Sequence, residues 1–172
     1  MKVIIIGLGN FGAALAKKMS KLGHEIIGVD NDMQKVESLK EKLSYTVCMD
    51  ATDELAISKL PLNNTDIVIV SIGENEGANI MATAIFKNKN VKRLISRSIS
   101  SLHENVLQAI GVSEIIRPES ESAERWTKKL NVNGVVDSFE LNKDYSIIEV
   151  LTPAELVGKT FDEVQFKKQH NI

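Results

Sequence analysis

Val3 to Ile6 is an unbroken β-branched run, and Ile67 to Ser71 has the same character, with no polar residue interrupting either before the terminal serine. A strand that does not alternate between apolar and polar is buried on both faces, as in a parallel sheet. After the first run the apolar period lengthens. Ala13, Ala14, Leu15, Ala16, Met19 and Leu22 share helical spacing, and Gly23 stands where a left-handed cap would close the helix.

The alternation then repeats. Glu25 to Asp30 reads as a second strand, Met33, Val36, Leu39 and Leu43 as a helical stripe, and Thr46 to Met49 as a third strand. Leu55, Ile57 and Leu60 suggest a short helix ending near Pro61, and Ile80, Met81, Ala84 and Ile85 mark the helix after the fourth strand. Arg93 to Ser96 is the fifth strand, Ser101 with Glu104 fits a capping box for a helix that Gly111 closes, and Ile115 with Ile116 makes a sixth. Strands separated by helices in this way build right-handed βαβ units. The predicted class is α/β, a Rossmann-like doubly wound parallel sheet with helices on both faces.

Glu119 to Leu130 reads as a further helix, and "NVNG" at Asn131 to Gly134 as a turn or junction. Beyond it the pattern changes to two strand-like runs, Val135 to Leu141 and Tyr145 to Leu151, joined by "NKD". The expected division is therefore a nucleotide-binding domain over 1–134, and a linker with the beginning of a small α+β lobe over 135–172. The chain is long enough for one well-buried domain with a small appendage.

A formal net charge of −2 gives no bulk reason to bind nucleic acid or an anionic membrane, and no nucleic-acid partner is expected. The single cysteine, Cys48, cannot close an intramolecular disulfide. Its apolar surroundings in sequence read as a buried structural thiol in a reducing cytoplasm. The apolar run at the start is far short of the roughly 20 residues that span a bilayer, and it does not read as a signal peptide.

Gly7, Gly9 and Gly12 form G-x-G-x-x-G between a buried strand and a helix. The first glycine permits the turn, the second lets backbone approach a pyrophosphate, and the third allows helix and strand to pack closely. Helix-start N–H groups, here including Asn10 and Phe11, then hold phosphate. A tight turn alone would need the glycines but not an acid at the end of the second strand. Asp30 stands there, with Asn31 after it, placed to accept hydrogen bonds from ribose hydroxyls. With Asp32 nearby it would repel a 2′-phosphate, so NAD(H) or an adenosine nucleotide (ATP, ADP or AMP) is favoured over NADP.

Open α/β sheets bind ligands at the carboxyl ends of their strands. Asp50, Ala51 and Thr52 follow the third strand and border either an adenine or only a turn capped by Thr52. Ile72, Gly73 and Asn75 follow the fourth, with Gly73 allowing close backbone approach and Asn75 able to donate. Arg97 ends the fifth strand and is the candidate phosphate partner, or else a solvated charge.

Taken together, "IIIGLGNFG", "VDND", "MDATD", "VSIGEN", "SRS" and "IIRPE" resemble the RCK/KTN (TrkA-N) family, the cytoplasmic nucleotide-binding regulators of Trk- and Ktr-type potassium channels and transporters. The similarity runs from Met1 to about Leu130, and "YSIIEVLTPAELVGKTFDEV" looks like the start of that family's small C-terminal lobe, incomplete here. The resemblance implies a domain that dimerises and assembles into a ring beneath a membrane pore. It implies a cytoplasmic location, peripheral on the inner membrane face through the pore partner, and gating by nucleotide-dependent change of shape. It assigns nucleotide contact to Gly7, Gly9, Gly12, Asp30, Asp50, Gly73 and Arg97. Asn10 departs from the pattern, because many ATP-responsive members carry arginine there. Glu119 matches a position near the dimer interface that helps bind a divalent cation in some members, although a carboxylate in a helix's first turn is also favourable by itself.

An NAD-dependent dehydrogenase or a Rossmann-fold redox sensor would use the same glycines, and a scaffold could keep the fold without binding. A dehydrogenase also needs a substrate domain and a proton-transfer residue at the nicotinamide. His24, His103 and His170 read as solvated or packing residues without metal-ligand spacing, so neither a catalytic nor a metal site is expected. Trp126 reads as core or interface packing.

Overall fold

The computed structural model describes residues 1–131, 135–140, 145–152 and 154–164. The chain divides into two compact units, Met1–Pro118 and Glu119–Ile172.

In the first unit the strands are β1 (Lys2–Ile6), β2 (Glu25–Asp30), β3 (Tyr45–Cys48), β4 (Ile67–Val70), β5 (Leu94–Arg97) and β6 (Glu114–Ile116). The helices between them are α1 (Asn10–Lys21), α2 (Met33–Leu39), α3 (Glu54–Ile57), α4 (Glu76–Asn88) and α5 (Ser101–Ala109). All neighbouring strands pair in parallel, in the order β3-β2-β1-β4-β5-β6. The order reverses direction between β1 and β4, and it is at this switch point, at the carboxyl ends of the strands, that a crevice opens in such sheets.

Burial explains why β1 beyond Lys2, and all of β4, carry no polar residue. Side chains alternate across a sheet. Ile4 and Ile6 pack with Val68, Val70, Ala82 and Phe86 on one face, whereas Val3 and Ile5 pack with Ala16, Val36, Leu39 and Ile69 on the other. Helices cover both faces, so every position from Val3 to Ile6 and from Ile67 to Val70 is interior. Gly23, at φ +83°, takes the left-handed conformation just after Leu22, the C-cap of α1, as the sequence suggests.

Two cap assignments differ from expectation. Ser100, rather than Ser101, caps α5 by accepting from the His103 amide at 3.1 Å, and Glu104 is ion-paired with Arg117 instead of reaching back to the cap. Asp53, rather than Thr52, caps α3, accepting from the Leu55 amide at 2.8 Å. The Thr52 hydroxyl turns instead to Asp50.

The second unit contains most of helix α6 (Pro118–Asn131), the antiparallel pair β7 (Val135–Glu140) and β8 (Ser146–Val150), and the short α7 (Phe161–Val164). Trp126 is about half exposed on α6, with Lys129 Nζ 5.3 Å from its ring centre, and is therefore no core residue of the chain. Glu119 lies exposed in the first turn of α6. The expected turn at Asn131 to Gly134, the "NKD" connection and His170 fall wholly or mostly outside the described residues. Among the described residues no helix is long and apolar enough to cross a membrane.

Candidate functional site

The loop from β1 to α1 is shaped by its glycines. Gly7 has φ +92°, and a side chain there would press on the Ile72 backbone at 2.9 Å. Gly12 sits inside α1 with its Cα against the loop, and a Cβ would stand 2.0 Å from the Gly7 carbonyl oxygen. Gly9 differs, because a Cβ there would meet nothing within 4 Å. The space over Gly9 is open, as a pyrophosphate requires. Gly9 is also the N-cap of α1 and provides no side chain to cap it. The first amides of the helix, those of Asn10, Phe11 and Gly12, have no partner one turn back, and they gather the positive end of the helix dipole at this opening.

Two side chains from neighbouring strands hold the loop. Ser71, just past β4, directs its hydroxyl at the carbonyls of Gly7 (2.7 Å) and Ile6 (2.9 Å). Asp30, at the end of β2 and almost fully buried, accepts from the Leu8 amide through Oδ2 at 2.6 Å and from the Asp32 amide through Oδ1 at 2.9 Å. A carboxylate oxygen carries two lone pairs. Each oxygen of Asp30 therefore keeps one acceptor position for a ribose hydroxyl while it braces the glycine loop.

The outer edge of the site follows from strand order. β3 lies beside β2, and the Met49 amide donates to the Asp30 carbonyl at 3.0 Å, which brings the Asp50–Thr52 turn next to the acid. Asp50 accepts from both the amide and the hydroxyl of Thr52 at 2.8 Å, and these bonds hold its carboxyl below the usual carboxylate range. Ala51 is buried in the core. Asn31 is exposed, and its carbonyl accepts from the Cys48 thiol at 3.5 Å. Cys48 itself is exposed, contrary to the buried thiol expected, because β3 is an edge strand of the sheet.

On the other side of the switch point, Ile72 and Gly73 follow β4. The place that a side chain on Gly73 would fill is taken by the Arg97 guanidinium, with Nη1 2.2 Å from the ideal Cβ position. Arg97, at the end of β5, therefore lies against the loop after β4. Asn75 caps α4 through Oδ1, which accepts from the Ala78 amide at 3.0 Å. The structure thus brings the expected residues to the ends of five adjacent strands, β3 to β5.

Sequence reasoning missed a buried polar cluster behind this edge. Asn79 in α4 is fully buried and donates from Nδ2 to the carbonyls of Ile72 (2.9 Å) and Arg97 (3.1 Å). Its Oδ1 lies 3.1 Å from Ser96 Oγ and 3.2 Å from His103 Nε2. The two carbonyls can only accept, so the amide nitrogen must face them, and Nε2 of His103 must then carry the proton. The signal was available: Asn79 stands three and seven residues before Ala82 and Phe86, on the buried stripe of its helix. His24 lies beside the terminal amine of Met1, at the amino edge of the sheet. Among the described residues no cluster of three His, Cys, Asp or Glu has metal-binding geometry.

Comparison with known proteins places these features in a family. The Ktr system potassium uptake protein C of Bacillus subtilis (strain 168) is 35% identical over 168 residues, which are 98% of this chain and 76% of the relative. Among solved structures, the GsuK channel bound to NAD superposes with a TM-score of 0.72 at 16% identity, covering 99% of this chain and 31% of that one. The AMP-bound Kef C-terminal domain of Shewanella denitrificans superposes at 0.64 with 16% identity, covering 77% of this chain and 84% of that one. At that identity the two structures establish the fold alone. The model of the TrkA-N domain matches residues 3–118, which is the whole parallel sheet with its glycine loop, and the chain belongs to that family.

Proposed function

We propose that this chain is a nucleotide-binding regulatory subunit of a potassium uptake system. The observation that carries the reading is the pairing of an uncapped helix start, open above Gly9, with a buried carboxylate on the neighbouring strand. That pair supplies amide donors for a pyrophosphate and acceptors for an adenosine ribose. NAD(H), ATP, ADP and AMP all present both groups. The carboxylates of Asp30 and Asp32 disfavour the 2′-phosphate of NADP. Arg97, seated on Gly73, takes a phosphate, and the Asp50–Thr52 turn borders the adenine.

The relative named for Ktr potassium uptake supports a membrane-embedded potassium transporter or channel subunit as the partner. In this reading the chain sits on the cytoplasmic face of the membrane, as a dimer within a larger ring. Its work is a shift of population and not a chemical step: a nucleotide that fits one arrangement of the ring better favours it in proportion to the difference in affinity. Potassium uptake in cells at limiting external potassium tests the proposal. Uptake falls when the gene is deleted, and the parent chain restores it while Asp30→Ala does not. Uptake unchanged by the deletion refutes the reading.

A further inference from the structure

We propose that Asn79 is a positioning residue of the nucleotide site: its amide ties the ends of β4 and β5 together and so holds the Arg97 guanidinium on Gly73, where it meets phosphate. The proposal rests on the nucleotide reading above.

The geometry is specific. The β4–β5 ladder runs from Val68 and Leu94 to Val70 and Ser96 and ends there. Ile72 and Arg97 lie beyond that last pair, and no ladder bond joins them. Asn79 spans the gap with a side chain, one N–H to each carbonyl. Ile72 immediately precedes Gly73, and Arg97 carries the guanidinium that fills the space over Gly73, so the two carbonyls it holds set the distance between seat and occupant.

The other end of the amide is fixed as firmly. Ser96 Oγ and His103 Nε2 donate to Oδ1, and Thr83 Oγ1 lies 3.4 Å from it. Ser96 and Thr83 are themselves within 3.0 Å of one another. Asn79 is fully buried with both ends of its amide hydrogen-bonded, and a tie fixed in this way is what a positioning residue needs. A long arginine side chain reaching a phosphate loses affinity when its backbone origin shifts, because charge-assisted hydrogen bonds depend on direction.

A residue that only satisfied buried polar groups would affect all ligands alike. The test therefore compares ADP with adenosine, which lacks phosphate, by calorimetry on nucleotide-stripped protein for the parent, Asn79→Ala, Arg97→Ala and the double variant. Asn79→Ala is expected to weaken ADP by about tenfold or more, the scale of one charge-assisted hydrogen bond, with adenosine little changed. In the Arg97→Ala background it should cost ADP nothing further. Equal loss for ADP and adenosine, an unchanged ADP affinity, or additivity with Arg97→Ala overturns the proposal. Should Asn79→Ala not fold, Asn79→Leu keeps the volume without the donors, and failure of both makes Asn79 a purely structural residue. If the parent shows no preference for ADP over adenosine, or Arg97→Ala leaves that preference intact, the phosphate reading of Arg97 has failed instead.

Discussion

Asp30→Asn separates two roles that Asp30→Ala would confound. The side chain keeps its shape, but one carboxylate oxygen becomes an NH2 group. Both oxygens of Asp30 accept from backbone amides, Leu8 at 2.6 Å and Asp32 at 2.9 Å, so flipping the new amide only exchanges which backbone N–H faces a donor. A hydrogen bond to a charged group contributes about 1.5–3 kcal/mol, and a buried donor left without an acceptor costs about 1–3 kcal/mol. Relaxation of the loop recovers part of this, and a net loss of about 2–3 kcal/mol is expected in the ligand-free protein. For a chain of this length that lowers the melting temperature by roughly 4–12 °C. Thermal melting of nucleotide-stripped Asp30→Asn against the parent measures it directly. A free variant melting within about 1 °C of the parent would refute the bracing role, leaving Asp30 as a ligand contact only.

Gly12→Ala should be far more damaging than an ordinary helical substitution, because its Cβ would stand 2.0 Å from the Gly7 carbonyl and 2.5 Å from Ser71 Oγ. A loss of about 3 kcal/mol in urea unfolding is expected, and an unchanged midpoint contradicts the packing. Gly73→Ala meets only the end of a flexible arginine, so stability should change by about 0.5 kcal/mol or less while phosphate-bearing nucleotides bind more weakly. Equal affinities in the two proteins contradict the seat. Burial pushes the His103 imidazole below its ordinary value, against the opposing pull of Glu76, whose Oε1 lies 3.9 Å from Nδ1. The unfolded chain then takes up this proton more readily than the folded one, so its contribution is intact above about pH 6.5 and is lost as the pH falls below that. His103→Gln should flatten the decline in melting temperature between about pH 7 and pH 5, and equal slopes in parent and variant would contradict this assignment.

The sheet was readable because a parallel strand buried on both faces leaves an unmistakable run, as Val3 to Ile6 does, and because each glycine and Asp30 falls at a fixed offset from it. What escaped reading depends on neighbours that spacing does not reveal. Cys48 sits in an apolar run, yet its strand lies at the sheet's edge, and edge position is a property of strand order. Ser101 and Glu104 fit a capping pattern one residue out of register, because Glu104 is drawn to Arg117 and Ser100 has the extended backbone of a cap. Asp30 was legible as a ribose acceptor, but its bracing of Leu8 requires β1 and β2 to be adjacent. Asn79 and His103 look like ordinary polar helix residues until α4 and α5 close over Ser96.

Nucleotide binding at the carboxyl edge of the sheet is tested most directly by titration calorimetry of the stripped protein with NAD, NADH, ATP, ADP, AMP and NADP. Saturable binding of one or more of the first five, at least about tenfold tighter than NADP, is the expected result. No heat from any of them at millimolar ligand, or NADP binding as well as NAD, would contradict it.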